Sequence, residues 1–164
     1  MSETDVSDRE LTSLGLDLVS EESTMALATA GDGTAWAAPV YFAFHKSAFY
    51  FFSDPASRHI QEALKSGQAS ATVYPFVSAW QEIRGVQMSG TVRPVSPGLE
   101  AVQSIRAYIH KFPFTREFFK PGEAADLESF GKRFKVRLYA FVPTRVYYLD
   151  NQIAFGFRKE IRLT

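Results

Sequence analysis

From Met25 to Ser53 the chain reads MALATAGDGTAWAAPVYFAFHKSAFYFFS, a stretch of small and apolar residues whose period is not that of a helix. Gly31-Asp32-Gly33 interrupts it in the manner of a hairpin turn, and His45-Lys46-Ser47 interrupts it again, which predicts strands over 23–30, 34–44 and 47–53. Further strands are expected over 69–75, ended by Pro75, and over 80–95, where Gln87, Ser89 and Thr91 alternate with Val86, Met88 and Val92. Gly85 and Gly90 within that run mark bulges or close backbone approaches. The last third returns to strands at 133–142, 145–150 and 152–158, with Asp150-Asn151 as a tight turn.

Helices interrupt this series only three times. Ser7-Asp8-Arg9-Glu10 has the form of a capping box, and Leu11, Leu14 and Leu18 fall on one face of a helix over 7–19. Asp54-Pro55 announces a second helix that Gly67 ends, and Pro97-Gly98-Leu99-Glu100 opens a third that runs to about His110. Residues 111–131, rich in Phe, Pro, Gly and charge, are expected to be an irregular loop with short helical turns. About six to seven short strands at hairpin spacing, with three or more flanking helices, predict an α+β fold built on an antiparallel β-barrel rather than an alternating parallel sheet. At 164 residues the chain is expected to be a single domain.

Composition narrows the function classes. Eighteen Lys and Arg balance eighteen Asp and Glu, so no global field collects nucleic acid or an anionic membrane. The absence of cysteine removes thiolate catalysis, Fe–S clusters and cysteine-based zinc sites. His45, His59 and His110 are scattered, which speaks against a dedicated zinc site, and no Gly-x-Ser-x-Gly elbow or Walker loop occurs. The opening MSETDVSDRE lacks the basic and apolar character of a signal peptide, and no run approaches the ~18 apolar residues of a spanning helix, so a cytoplasmic location is expected. Glu21-Glu22 and Asp126/Glu128 read as solvated surface charge, and Lys132–Arg137 as a half-exposed strand. The excess is aromatic: fifteen Phe, seven Tyr and two Trp must either fill a core or serve a ligand or partner.

The segment Phe52-Ser53-Asp54-Pro55-Ala56-Ser57-Arg58-His59 lies where a strand hands over to a helix. Free backbone amides and the positive end of the helix dipole converge there with two hydroxyls, a guanidinium and an imidazole, a combination suited to a phosphate monoester. The plainer alternative is a capped helix carrying a surface arginine.

From Ala28 to Ser96 the chain resembles the FMN-binding split-barrel proteins related to pyridoxamine 5′-phosphate oxidase. The residues that carry the resemblance are Ala28-Thr29 with the Gly-rich turn, Ala38-Pro39-Val40-Tyr41-Phe42, Phe49 to Ser53 with Ser57-Arg58-His59, and Gly85 to Gly90. The C-terminal FVPTRVYYLDNQIAFGFRK resembles the closing hairpin of an uncharacterised branch. The resemblance implies that Ser53, Ser57, Arg58 and His59, following Phe52, hold the FMN phosphate, with histidine where the oxidases usually carry lysine. It implies that the backbone of Ala38, Pro39, Val40 and Tyr41 runs beside the isoalloxazine. Gln87 would meet the pyrimidine edge, although it stands two residues beyond the oxidase position, where this chain has Gly85. It further implies a homodimer with FMN at the subunit interface, the second subunit contributing Arg158 and an aromatic ring from Tyr148 or Phe155. Trp36 and Trp80 would flank the flavin or, as expected here, fill the barrel.

One departure bears on substrate. Where the oxidase carries an arginine and a histidine that grip its substrate's phosphate, this chain reads Gln152-Ile153-Ala154-Phe155-Gly156-Phe157. Pyridoxamine phosphate is therefore not expected as substrate, and a less charged, aromatic small molecule suits the lining better. The implied function is a small FMN-dependent oxidoreductase in which no side chain stands out as acid or base. The alternatives are a non-catalytic flavin carrier or sensor, or a haem- or deazaflavin-binding member of the same fold, with His45, His59 and His110 as the candidate haem ligands.

Overall fold

The computed structural model describes residues 6–118 and 127–164. Helix α1 (Asp8–Glu21) starts where the capping residues predict, with the Glu10 amide donating to Ser7 Oγ at 3.3 Å. Strands β1 (Thr24–Gly31), β2 (Thr34–Tyr41), β3 (Ala43–His45) and β4 (Ala48–Ser53) follow, then helix α2 (Arg58–Ser66) and strand β5 (Ala69–Val73). Strand β6 (Arg84–Pro94), helix α3 (Leu99–Lys111), helix α4 (Leu127–Phe134), strand β7 (Arg137–Asp150) and strand β8 (Arg158–Ile161) complete the described chain, with short 3₁₀ turns at Trp80–Glu82 and Pro113–Phe118. All strands join one antiparallel sheet in the order β2-β1-β5-β6-β7-β4-β3, with β8 added along β7. The fold is an antiparallel split β-barrel with flanking helices.

The sheet curls around Met25, Leu27, Phe42, Phe49, Phe51, Val86, Tyr139, Phe141 and Tyr148, and Leu11, Leu18 and Val19 of α1 close its interior. Much of the aromatic excess is here. Phe42 and Phe49 meet at 5.3 Å between ring centres, and Phe51 and Tyr139 stack at 5.9 Å. A second cluster covers the opposite face of β4 and β7, where Ala101 and Ile105 of α3 pack on Tyr50, Leu138 and Ala140. Because both faces of β4 are buried, its AFYFFS has no apolar–polar alternation.

Four expectations change. Residues 80–82 form a 3₁₀ turn, and the strand begins at Arg84. The strands over 133–142 and 145–150 are a single strand, β7, which passes Pro143 through a register shift opposite Ser89/Gly90. Residues 152–158 are mostly turn, and the closing strand is Arg158–Ile161. Within 111–131 a regular helix begins at Leu127, and its last turn takes Lys132–Phe134 out of the expected half-exposed strand. The rest of that loop, 119–126, and Asp126 with it, lie outside the described residues.

Burial pushes the Tyr108 hydroxyl up to about 12 from an ordinary 10.0, and burial plus its bond to Glu100 does the same to Tyr50. Above the unfolded value the unfolded chain loses these protons while the folded chain keeps them, so stability declines as pH rises from about 10 to about 12. Urea titrations followed by circular dichroism should show the midpoint falling over that interval, and Tyr108→Phe should flatten the fall. A midpoint independent of pH there would contradict the assignment.

Candidate functional site

The hydrogen-bond ladders locate a gap in the barrel. Strand β3 pairs with β4 only through Ala43↔Tyr50, Phe44↔Phe49 and His45↔Ala48, so Phe51, Phe52 and Ser53 have β7 on one side and no ladder on the other. Strand β2 lies against β4 yet is paired only with β1. Two strand edges with unpaired backbone groups thus face each other among the described residues, and the N-terminus of α2 lies at the end of β4. Pro39 suits this position, because an edge strand tolerates a residue that donates no ladder bond.

At that point Ser53, Ser57 and His59 come together. Ser53 Oγ lies 2.8 Å from His59 Nε2 and 3.3 Å from Ser57 Oγ, and Ser57 Oγ is 3.3 Å from the same imidazole nitrogen. Ser53 is buried, whereas Ser57 is partly open. Burial holds the His59 imidazole below its ordinary value, so the ring is neutral at pH 7 and offers one donor and one acceptor. Ser57 occupies the N-cap position of α2, but its hydroxyl donates to the Asp54 carbonyl at 2.7 Å and makes no capping bond to the helix. The first amides of α2, which no turn of the helix can satisfy, are left without a side-chain cap. Two hydroxyls, a neutral imidazole and uncapped amides match the donor set a phosphate dianion requires.

Arg58 does not join this cluster. Its Nε donates to Glu62 Oε1 at 2.7 Å, its Nη2 donates to Thr34 Oγ1 at 2.8 Å, and its guanidinium lies 4.6 Å from the centre of the Trp36 ring. Glu62 is fixed in turn by Thr29 Oγ1, which donates to Oε2 at 2.6 Å. The Thr29 and Arg58 hydrogen bonds hold the Glu62 carboxyl below its usual value. Arg58 therefore borders the gap from the β1–β2 side, with Trp36 beside it. Glu62 had a sequence signal, its four-residue spacing from Arg58 on one helix face, and Thr29 stood in the Ala28-Thr29 motif without a role assigned to it, whereas Thr34 had none.

The remaining expected residues fall elsewhere. Along β2, Ala38 is half-buried, Val40 is buried, and Pro39 and Tyr41 are exposed. Gln87 projects outward from β6, three strands along the sheet from β2, with Thr72 and Tyr147 as its cross-strand neighbours. Arg158 is exposed on β8 and lies 5.1 Å over the Tyr147 ring. Of the two aromatic candidates, Tyr148 is fully buried in the barrel, its hydroxyl donating to Asp150 at 2.9 Å, while Phe155 is 82% exposed. Neither tryptophan fills the barrel: Trp36 is 44% and Trp80 is 56% exposed. Trp80 and Phe155 meet edge to face at 5.4 Å because Asn151 donates to the Trp80 and Ile83 carbonyls, pinning the β7–β8 turn onto the 3₁₀ turn.

One chain thus carries two separated sets: Ser53, Ser57 and His59 at the gap, and Gln87, Tyr147 and Arg158 on the outer sheet face. A groove of about 780 Å³ is lined by small residues of β1, β2, β5 and β6, including Ala28, Ala35, Ser70, Ser89 and Thr91. Among the described residues no helix is long and apolar enough to cross a membrane, and no three His, Asp or Glu side chains gather as metal ligands.

A family model described as pyridoxamine 5′-phosphate oxidase matches residues 15–147. A UPF0306 protein of Cronobacter sakazakii is 31% identical over 130 residues, covering 77% of this chain and 78% of that protein. Two solved structures share the fold. A haem-binding protein from Mycobacterium smegmatis gives a TM-score of 0.69 at 13% identity, over 93% of this chain and 57% of that one. An FAD-binding protein from Mesorhizobium loti gives 0.60 at 16% identity, over 81% and 89%.

Proposed function

Because the chain belongs to the pyridoxamine 5′-phosphate oxidase family, we propose that it binds flavin as FMN at the barrel gap and acts as a small flavin-dependent oxidoreductase. The observation that carries this reading is the uncapped start of α2 beside the Ser53, Ser57 and His59 side chains, a donor set that fits a phosphate monoester. Arg58 stands at the same mouth, held by Glu62 and Trp36, and adds positive charge on the β2 side. The unpaired edge of β2 from Ala38 to Tyr41 offers backbone donors and acceptors to the isoalloxazine edge, whatever the side chains. When bound, the flavin supplies hydride transfer. The chain's own part is to fix the phosphate, align the ring along β2 and exclude water.

Gln87, Tyr147 and Arg158 reach such a flavin only from a second copy of the chain. The small residues on the outer faces of β1, β2, β5 and β6 suit a close sheet-to-sheet approach, so the proposed unit is a homodimer with two equivalent sites. The exposed Trp80–Phe155 pair, together with a β7–β8 turn that lacks cationic residues from Gln152 to Phe157, favours an uncharged aromatic substrate.

The structural likeness to a haem-binding protein makes haem the second reading. In this chain His59 is held by two serines, and the His45 Nε2 is buried without a hydrogen-bond partner among the described residues. The visible spectrum of purified protein, followed by titration with FMN, tests the choice. Two flavin bands, or saturable binding of added FMN, are the expected result. A Soret band, or a colourless protein that leaves FMN free in equilibrium dialysis, would overturn it.

A further inference from the structure

Arg58 stands between Ser57 and His59 in sequence, yet its side chain is turned away from theirs. The carboxylate that holds it there is fixed by other elements. Glu62 lies one helical turn further on, its side chain only 13% exposed. Thr29, buried in β1, donates to Glu62 Oε2 at 2.6 Å. Gly31 leaves the space in which Glu62 lies, since a Cβ there would stand 2.9 Å from Glu62 Cγ. The second oxygen, Oε1, accepts from Arg58 Nε at 2.7 Å. Glu62 is thus anchored to β1 independently of Arg58.

Arg58 is the loose end of this arrangement. Its side chain is 43% exposed, and it occupies the first turn of α2, where the helix dipole disfavours a cation and no acid stands beside it. An arginine four residues before a glutamate is also the weaker order for such a pair. The partners of Arg58 keep other bonds if the guanidinium leaves: Glu62 keeps Thr29, and Thr34 Oγ1 still donates to the Gly31 carbonyl at 2.9 Å. The Trp36 ring, 4.6 Å from the guanidinium, loses only a cation–π contact. Departure of Arg58 therefore strands no polar partner. A phosphate dianion at the start of α2 reverses the balance, because it makes that end of the helix anionic and offers the guanidinium fork two oxygens at once.

We propose that Glu62 is a latch that holds Arg58 away from Ser53, Ser57 and His59 in the empty chain, and that a ligand phosphate draws the guanidinium across to the cluster. Glu62 thereby sets how much the phosphate contributes to ligand choice, and it determines specificity without touching the ligand. The inference rests on the flavin reading above.

Isothermal titration of the Glu62→Gln variant with FMN, and with riboflavin, which lacks the phosphate, tests it. Glutamine keeps an acceptor for Thr29 and loses the charge that holds Arg58. FMN is expected to bind about three- to fivefold more tightly than to the unaltered chain, the upper part of what a half-exposed ion pair is worth, while riboflavin affinity stays within about twofold. In an Arg58→Ala background the same substitution should change FMN affinity by less than about twofold, because no guanidinium remains to release. A gain that persists without Arg58 would mean that Glu62 merely repels the phosphate, and the latch falls. An unchanged or weakened FMN affinity, or an equal shift for both ligands, would overturn it as well. All of these outcomes leave the flavin reading intact. An unaltered chain that fails to bind FMN overturns the flavin reading and the latch with it.

Discussion

Replacing Ser57 by Asp is expected to lower flavin affinity by at least a hundredfold while leaving the thermal midpoint unchanged or raised. Ser57 sits at the N-cap of α2 with an extended backbone, φ −63° and ψ 146°, which aspartate adopts equally well. Its hydroxyl is turned to the Asp54 carbonyl, so Ser57 gives the first amides of the helix no side-chain cap. A carboxylate at the same position accepts from those amides and is favoured by the helix dipole, a gain of about 0.5–1 kcal/mol. It also occupies the place proposed for a phosphate oxygen and repels the phosphate that remains; a hundredfold loss corresponds to about 2.7 kcal/mol, within what like charges cost at close range. Binding and stability are thus expected to move in opposite directions. Calorimetric melting and flavin titration on the same sample check both, and a variant that binds flavin within threefold of the unaltered chain would remove the phosphate assignment.

Local features of this fold were readable from sequence, and features set by distant packing were not. The start of α1, the β1–β2 hairpin and the placing of Gln87, Ser89 and Thr91 on one strand face each rest on residues within a few positions of one another, and all stand where predicted. The expected break between 142 and 145 does not occur, because Gly90, more than fifty residues earlier, provides a register shift at which Pro143 passes, and nothing near Pro143 in the sequence shows it. Helix α4 carries Gly131 at its centre, a weak helix former. A Cβ there would stand 3.3 Å from the Val136 carbonyl oxygen, so the chain returning beneath the helix packs where a side chain would crowd it. Barrel filling is expected for Trp80, whereas the 3₁₀ turn that holds it leaves it 56% exposed.

The candidate site divides in the same way. Ser53, Ser57 and His59 span seven residues across one strand–helix junction, so their convergence follows from local geometry. Arg58 belongs to the same segment, yet its direction is set by Thr34 and Trp36 on another strand and by Glu62 on its own helix. The aromatic excess divides as well. Phe42, Phe49, Phe51, Phe141, Tyr139 and Tyr148 are core, while Trp36, Trp80 and Phe155 are exposed, and only the three-dimensional placement separates the two groups.

Gly90→Ala is the substitution expected to cost the most stability. Gly90 lies in β6 opposite Pro143 of β7, where the register shifts. A methyl group there would be driven into the Val142 carbonyl oxygen and would stand 2.8 Å from the Pro143 Cα, both of them backbone. No rotamer change relieves a clash with backbone, so the β6–β7 ladder must separate locally. That ladder runs from Arg84↔Asp150 to Pro94↔Tyr139 and joins the strands at the centre of the sheet, so the displacement cannot be confined to an edge. Overpacking of this kind costs about 3 kcal/mol, a fall in midpoint of roughly 6–12 °C for a domain of this size. Ser89→Ala changes the neighbouring exposed residue without adding bulk and is expected to stay within about 0.5 kcal/mol. Parallel thermal melts of the two variants separate a close backbone approach from mere residence in the strand. A Gly90→Ala midpoint as small in its shift as that of Ser89→Ala would mean that the bulge opens without cost and that β7 passes Pro143 by some other device.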